Sequence, residues 1–340
     1  MTLADVEAAA ERLRGIATRT PLLPFGAPVA GSGGPRAWLK AENLQPTGAF
    51  KIRGAYNALA QLGDEERAAG VVTHSSGNHA QGVSRAARLL GIRAVVVMPS
   101  DAPAIKVAGV RADGAEIVFV GPADDERVQR AHELADEHGM ALIPSFDDVR
   151  IVAGQGTAGL EIVQQVGAAD GADPAADSTS PAAPLTVLVP VGGGGLASGI
   201  CVAVKGLRPD ARIYGVEPEL AADARDSLRA GRLVRWDAEL TGRTIADGMR
   251  TSSLGQITFA HLARLLDGVV TVTEAEIARA MVAAATGARI VAEPSGATTI
   301  AAWLWHRDEL PVVGGNVVMV VSGGNVDPER YRELLSAGAS

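Results

Sequence analysis

The sequence predicts an α/β protein with a largely parallel sheet and enough residues for two domains. Short apolar runs alternate with helical segments along most of the chain, which is the order of parallel strands and their crossover helices. The runs are apolar throughout rather than at every second residue, as expected when helices cover both faces of a sheet. The 340 residues exceed the usual size of one compact domain, and 47% hydrophobic against 21% charged residues exclude a disordered chain.

The predicted elements follow each other in a regular order. A first helix is predicted over residues 5–17, where Val6, Leu13 and Ile16 share one side, and a second over residues 51–62. Strand–helix pairs are then predicted at residues 71–73 with 78–90, 94–98 with 102–110, 117–120 with 124–137, and 185–191 with 196–207. Further strands are predicted at residues 212–216 and 317–321. A repeated strand–helix order of this kind indicates parallel pairing.

The chain is interpreted as a small domain inserted into a larger one. Residues 71–147 contain enough strand–helix pairs for a unit of their own. They separate residues 1–70 from residues 148–340, which together would form the large domain. Residues 168–184 are polar and of low complexity, so a flexible loop is predicted there.

Charge and composition exclude several classes of function. The 31 Lys and Arg residues against 39 Asp and Glu give a net charge of -8, so no basic surface for nucleic acid is expected. The single cysteine, Cys201, excludes a disulfide framework and a thiolate zinc site. The first residues contain no export signal, and the uncharged run 185–204 contains Pro190 and four glycines, which oppose a membrane helix. We therefore expect a cytoplasmic protein that binds neither nucleic acid nor membrane.

Four consecutive glycines, called the glycine loop below, lie between an apolar strand and a helix. They are Gly192, Gly193, Gly194 and Gly195. Glycine permits close backbone approach, and the free amides at a helix start bind anions, most naturally a phosphate. Gly192, Gly194 and Ala197 also fit a loose dinucleotide fingerprint, with Glu217 placed 25 residues further on for a ribose. From these residues alone, a tight turn, a phosphate site and an NAD-dependent oxidoreductase all stay open.

Lys51 is a candidate nucleophile. The chain has only four lysines against 27 arginines, and lysine, unlike arginine, can lose its proton. Pro46 and Gly48 mark a turn before a helical run, so Lys51 falls near a helix start, where the helix dipole disfavours an ammonium. A neutral amine in this place suits a covalent bond to an aldehyde cofactor. An ordinary solvated surface lysine is the alternative.

Several segments occur in the order found in one enzyme family. They are LQPTGAFKIRGA at 44–55, HSSGNHAQG at 74–82, VPVGGGG at 189–195 and VVSGGNVD at 320–327, with AGQGT at 153–157 and TIADG at 244–248 matching as well. Together they resemble the pyridoxal phosphate (PLP)-dependent serine/threonine dehydratases and serine racemases, a tryptophan-synthase-like group of type II PLP enzymes. The resemblance spans nearly the whole chain. It implies the tryptophan synthase β-like fold, with two domains that each contain a mostly parallel sheet flanked by helices, and it disfavours the dinucleotide alternative.

The resemblance implies how PLP would be held. Lys51 would bind it covalently and act as the Cα base, the glycine loop would hold its phosphate, and Asn78 would hydrogen-bond its 3′-oxygen. Ser322 would face the pyridine nitrogen, where a hydroxyl leaves the nitrogen largely unprotonated. The other implied cofactor-binding residues are Phe50, Leu196, Gly248 and Glu293.

The resemblance also implies substrate contacts and a second acid–base residue. The implied substrate-binding residues are Ser75, Ser76, Gly77, Asn78, His79 and Arg127. The first five lie between a strand end and a helix, where backbone donors suit a substrate carboxylate. Ser76 matches the serine that exchanges a proton with Cα on the face opposite the lysine in family racemases, whereas family dehydratases often have alanine there. Arg127 matches a substrate-contacting arginine of racemases, with an ordinary charged helix face as the alternative.

A divalent-cation site is implied by a third set of residues. Glu217, Ala221 and Asp223 match a Mg²⁺ or Ca²⁺ site of the same group. Two carboxylates and a backbone carbonyl are hard oxygen ligands, with water completing the shell. The alternative is structural, with Glu217 at a strand end and Asp223 at a helix start.

Dehydration of L-serine and L-threonine to a 2-oxo acid and ammonia is the activity we expect first. Phe146 stands where mammalian-type racemases have asparagine, and elimination needs less specialised machinery than racemisation on two faces. Serine racemisation and dehydration of hydroxyaspartate are the alternatives of the same class. A non-catalytic binding protein and an NAD-dependent oxidoreductase are the alternatives of other classes. The resemblance further implies a homodimer with a small amino acid as its substrate.

Overall fold

The structure is a computed structural model and describes residues 1–26, 34–75, 77–121, 124–171, 183–312 and 314–339. Ser76 and most of the predicted loop at 168–184 therefore lie outside the described residues. The strands are β1 Leu22–Pro24, β2 Arg36–Ala41, β3 Val71–His74, β4 Ala94–Pro99, β5 Glu116–Val120, β6 Ala141–Leu142, β7 Leu185–Pro190, β8 Arg212–Pro218, β9 Gly268–Val272 and β10 Asn316–Val321.

Helices follow most of these strands. They are α1 Leu3–Arg12, α2 Lys51–Leu59, α3 Asp64–Ala69, α4 Asn78–Leu90, α5 Ala104–Ala112, α6 Asp124–His138, α7 Val149–Ala169, α8 Gly195–Leu207, α9 Asp223–Ala230, α10 Ala238–Thr241, α11 Gln256–Leu265, α12 Glu274–Ala283, α13 Pro294–Trp305 and α14 Pro328–Gly338. The end of α7 at Ala169 corrects the predicted start of the flexible loop, because the helical backbone hydrogen bonds continue past residue 168.

Two sheets form the framework, and the predicted fold class is confirmed. One sheet has the order β1-β2-β10-β7-β8-β9 and the other β5-β4-β3-β6. All pairs are parallel except β1 with β2, which is an antiparallel edge pair. The strands of the four-stranded sheet all fall within residues 71–147, and those of the six-stranded sheet fall outside that range. The domain boundaries themselves stay a prediction.

Both faces of the six-stranded sheet are covered by helices. Along β10, Val317, Met319 and Val321 pack into an apolar cluster with α12 and α13, whereas Val318 and Val320 pack on the other face with α7 and α8. All six residues of β10 are buried, as are all six of β7. Burial on both faces explains why these strands are apolar apart from Asn316 and Thr186.

No helix among the described residues combines the length and apolar character needed to cross a membrane.

Candidate active site

The sequence-predicted residues meet where strands of the two sheets end. The glycine loop follows β7, Ser322 follows β10, and Ser75 follows β3. The carboxyl ends of parallel strands are the usual place for a ligand in α/β proteins. The chain before α2 joins this edge, since the Phe50 amide donates to the Ser322 carbonyl at 3.1 Å and Ala49 pairs with Gly323 in a β-bridge.

Lys51 begins α2, is partly buried, and directs its amine to this region. Its Nζ donates to the Ser145 carbonyl at 2.7 Å and lies 5.2 Å from the centre of the Phe50 ring. Burial lowers the pKa of the Lys51 amine to about 8, and the positive end of the α2 dipole acts in the same direction. A lysine with a lowered pKa keeps a reactive fraction of free amine near neutral pH.

The glycine loop forms a concave surface of backbone at the start of α8. Gly194 has φ +87°, a conformation that favours glycine. A Cβ at Gly193 would come within 2.2–2.4 Å of the Phe146 ring, and one at Gly192 would meet the Gly248 carbonyl at 3.2 Å. Because no side chain fits here, the amides at the helix start stay accessible to an anion. Leu196 is buried in the first turn of α8.

Asp147 and Thr258 hold the glycine loop in place, and the sequence pattern did not reveal either residue. The Asp147 carboxylate accepts the amides of Gln256, Ile257 and Thr258 at 3.0, 2.9 and 3.2 Å, and so caps α11. The Thr258 hydroxyl then donates to the Gly193 carbonyl at 2.8 Å. The only sequence signal was an acidic pair at 147–148, which gives no indication of a partner more than one hundred residues away.

Asn78, at the start of α4, belongs to a buried polar cluster with Glu293. Its Nδ2 donates to Glu293 Oε1 at 2.5 Å, and its Oδ1 accepts from Asn325 Nδ2 at 2.9 Å. Burial raises the pKa of Glu293 to about 7, and Asp247 adds to the rise, whereas Lys106 and Asn78 oppose it. Lys106 lies 2.5 Å from Asp247 Oδ2 and 3.6 Å from Glu293 Oε2. Sequence reasoning singled out Glu293 but left Lys106 without a role.

The predicted carboxylate-binding segment leads from the end of β3 into α4. Ser75 Oγ accepts the amide of Gly77 at 3.1 Å. The His79 ring is buried, and its Nε2 lies 3.2 Å from the Ile143 carbonyl. Burial, together with nearby Lys51 and His74, lowers the pKa of His79 to about 3, so its ring is neutral. Arg127 lies half-buried in the first turn of α6.

Ser322 and Gly248 complete the set of candidate cofactor contacts. Ser322 is buried just past the end of β10. Gly248 donates its amide to Ser295 Oγ at 3.0 Å, and its carbonyl faces Gly192. The structure thus brings Phe50, Lys51, Gly248 and Ser322 into the region of the glycine loop.

Glu217, near the carboxyl end of β8, and Asp223, at the start of α9, carry neighbouring carboxylates. Glu217 is fully buried and accepts the amides of Ala224 and Arg225 at 2.9 and 2.8 Å, so it caps α9. Neither carboxylate oxygen of Asp223 meets a hydrogen-bond donor in normal geometry among the described residues. Burial raises the pKa of Asp223 to about 7, which the amides of Asp223 and Leu254 only partly offset. Burial and Asp223 raise the pKa of Glu217 well above its usual range.

The described residues contain no group of three His, Cys, Asp or Glu side chains arranged for a metal ion. A cation at Glu217 and Asp223 would therefore need the Ala221 carbonyl and water as further ligands.

The donor set of the main site fits PLP. A buried amine with a lowered pKa fits its aldehyde, amides at a helix start fit its phosphate, and an asparagine amide fits its 3′-oxygen. A serine hydroxyl is available for its ring nitrogen. These groups come from Lys51, the glycine loop, Asn78 and Ser322.

Comparison with known proteins gives the same result. A family model described as pyridoxal-phosphate dependent enzyme matches residues 13–323. The chain is 42% identical over 331 residues to an L-threo-3-hydroxyaspartate ammonia-lyase from Pseudomonas sp, with 97% of each chain covered. It is 38% identical over 335 residues to a serine racemase from Schizosaccharomyces pombe, covering 98% of this chain and 97% of the racemase. The crystal structure of a threonine deaminase from T.th. matches with a TM-score of 0.85 at 44% identity, covering 96% of this chain and 99% of that one.

Proposed function

The chain belongs to the pyridoxal-phosphate-dependent enzymes, in the group of serine/threonine dehydratases and serine racemases, and we propose that it is an ammonia-lyase for L-serine and L-threonine. The observation that carries this proposal is the partly buried Lys51 amine with its lowered pKa, which bonds Ser145 next to the Phe146 ring that packs on the glycine loop. Phe146, whose ring packs on Gly193, supports elimination over racemisation, because mammalian-type racemases have asparagine at the matching position.

PLP, when bound, withdraws electrons from Cα of the attached amino acid. Lys51 removes the Cα proton, for which its lowered pKa suits it near neutral pH. The amides of the glycine loop hold the phosphate, and those of the Ser75–His79 segment hold the substrate carboxylate. The Ser322 hydroxyl leaves the ring nitrogen uncharged, which suits a reaction whose β-hydroxyl departs soon after the proton. Loss of water, then hydrolysis, gives a 2-oxo acid and ammonia.

The test combines absorption with a product assay. The purified wild type should be yellow and should form pyruvate from L-serine and 2-oxobutyrate from L-threonine. The K51A variant should lose both the visible absorption and the activity. A colourless wild type that takes up NAD instead would refute PLP chemistry, and a yellow protein without 2-oxo acid from any β-hydroxy amino acid would refute the lyase.

Hydroxyaspartate is a second candidate substrate. It is supported by the relative from Pseudomonas sp, which is named for this substrate and is 42% identical over nearly the whole chain. Its elimination would use the same Lys51 chemistry and differ only in the β-substituent. Assaying L-serine, L-threonine, D-serine and both diastereomers of 3-hydroxyaspartate in parallel distinguishes the substrates by kcat/KM.

Serine racemisation is a second candidate activity at the same site. It is supported by Ser76, as the resemblance implies, and by the 38% identity to the serine racemase from Schizosaccharomyces pombe. Ser76 would supply the proton on the face of Cα opposite Lys51. The S76A variant should then abolish D-serine formation but retain dehydration, whereas equal loss of both would contradict this role.

We further propose that Mg²⁺ or Ca²⁺ binds at Glu217, Ala221 and Asp223. The support is the buried Asp223 carboxylate, whose oxygens meet no hydrogen-bond donor in normal geometry among the described residues. The homodimer is a proposal from the resemblance, and light scattering of the purified protein tests it. The cytoplasmic location stays a prediction from the sequence.

A further inference from the structure

Lys106 is a buried cation to which the proposed reaction gives no role. It projects from α5, is 2% exposed, and directs its Nζ towards Asp247 and Glu293. Its stem packs on the carboxylate-binding segment, since a Cβ at Gly77 would lie 2.4 Å from Lys106 Cδ. Burying an ammonium this completely is unfavourable unless carboxylates compensate it. The position of Lys106 is therefore set by these two acids.

The ionisation of Glu293 depends in turn on Lys106. It is 1% exposed, and its Oε2 has no hydrogen-bond partner within the described part of the chain, although it faces the ammonium at 3.6 Å. Asp247 is the other charged group beside this pair, and its negative charge opposes ionisation of Glu293. Without the ammonium, Glu293 would take up a proton, because a buried carboxylate next to another carboxylate favours its neutral form.

The ionisation of Glu293 determines how the Asn78 amide is oriented. An ionised carboxylate can only accept hydrogen bonds, so the nitrogen of Asn78 must face Glu293 and its oxygen must face away. That oxygen accepts from Asn325 Nδ2, which also donates to the Thr47 carbonyl at 2.8 Å. One hydrogen of Asn78 Nδ2 is used by Glu293, and the second stays available. A protonated Glu293 could donate to the amide oxygen instead, and this constraint would be lost.

We propose that Lys106 is a positioning residue for the cofactor site, which keeps Glu293 ionised so that Asn78 retains a hydrogen for the 3′-oxygen of the cofactor. The identity of that cofactor rests on the proposed function. A donor at the 3′-oxygen stabilises its deprotonated form. Lys106 therefore acts on the cofactor through Glu293 and Asn78, without touching it.

The first test uses the protein without cofactor. Infrared difference spectra at pH 8.5, above the wild-type pKa of Glu293, should show the C=O band of a buried protonated carboxyl group in K106M but not in the wild type. The band should disappear in the K106M/E293Q double variant, which assigns it to Glu293. The K205M variant is the matched control, because Lys205 also pairs with an aspartate, Asp267, but does so at the end of α8. It should show no such band.

The second test uses the holoenzyme. The pH at which the visible absorption of bound PLP changes should rise by at least about 0.5 units in K106M, a threefold change in proton affinity, because the 3′-oxygen loses its donor. E293Q should shift this pH in the same direction. The K106M/E293Q double variant should shift it little further than K106M does, as expected for residues that act in one chain of contacts. In K205M, the visible absorption of bound PLP should change at the same pH as in the wild type.

An unshifted titration together with a missing carboxyl band in K106M would overturn the proposal. If K106M fails to fold, the E293Q variant is used by itself. An absorption of bound PLP that titrates at the wild-type pH in E293Q would then overturn the proposal. A wild type that takes up no PLP would instead refute the proposed function. In that case the infrared band still decides whether Lys106 holds Glu293 ionised.

Discussion

At the residue scale, the chemistry of the site depends on where Lys51 is placed. Its amine has the Ser145 carbonyl as acceptor and the Phe50 ring beside it. Burial makes the ammonium costly in the folded protein and so lowers its pKa to about 8. The same placement that makes this amine reactive therefore destabilises the fold, as is common for functional residues.

The K51M variant should be more stable than the wild type when both lack cofactor. Between pH 8 and about 10.5 the unfolded chain binds the Lys51 proton and the folded chain does not, so wild-type stability rises with pH there. At pH 7, K51M avoids this penalty and should gain about 1–3 kcal/mol in free energy of unfolding. The gain should shrink as the pH approaches 10.5. Urea unfolding at pH 7 and pH 10 measures it, and a destabilised K51M at pH 7 would contradict it.

At the element scale, α2 is fixed by a buried ion network just after Lys51. Arg53 contacts both oxygens of Glu42, at 2.7 and 2.8 Å, and both oxygens of Glu161, at 2.7 and 2.9 Å. Lys40 of β2 pairs with Glu161 at 2.5 Å. The network also explains why β2 was not predicted from the sequence. A lysine in a strand indicates solvent, whereas here a carboxylate from α7 compensates its charge.

The R53M variant should lose about 3–5 kcal/mol of unfolding free energy, because it leaves the fully buried Glu42 without its cation. The control is R93M, which removes an exposed pair with Glu116 and should cost less than about 1 kcal/mol. Chemical unfolding of the three proteins compares them. Equal losses in R53M and R93M would show that the network does not stabilise α2.

The glycine loop and the Phe146 ring are complementary in shape. The G193A variant should bind PLP at least about tenfold more weakly, because the new Cβ would overlap the ring and shift the loop. A fluorescence titration of the unloaded protein with PLP measures this. The F146A/G193A double variant should recover part of the affinity. The control is G167A in α7, where nothing lies within 4 Å of the added Cβ, and which should bind PLP normally.

At the scale of the whole molecule, the site exists because both sheets direct strand ends to one place. The Lys106–Asp247 pair joins residues 141 positions apart, and the Asn78–Glu293 hydrogen bond joins residues 215 apart. Each pair connects an element that follows a strand of the four-stranded sheet to a segment near the six-stranded sheet. The cofactor site should therefore be sensitive to how these two parts are held together.

The proposed cation should stabilise the whole fold. Burial raises the pKa of Asp223 to about 7 and that of Glu217 well above its usual range. Above pH 4 the folded state therefore binds more protons than the unfolded state. The free energy of unfolding then falls as the pH rises towards 7. Mg²⁺ or Ca²⁺ should compensate the repulsion between the two buried carboxylates. The cation should raise the Tm by at least about 2 °C at pH 8, and by less at pH 5.5.

Thermal unfolding with and without EDTA measures this effect of the cation. The D223N variant should lose it. The control is D210N, which changes a surface carboxylate paired with Arg208 and should retain it. A Tm of the wild type that does not respond to either cation at pH 8 would refute the site.

The sequence by itself determined the fold class and most of the alternating strands and helices, and it indicated the candidate residues of the site. Helix α4 was predicted with its observed bounds, and β10 within one residue, because periodicity and apolar runs are local properties. The ordered segments around Lys51, Asn78, the glycine loop and Ser322 were sufficient to indicate PLP. Only the tertiary structure decided which polar groups support them. Asp147 beneath the glycine loop and Lys106 beside Glu293 depend on contacts between distant segments, and neither periodicity nor spacing along the chain encodes such contacts.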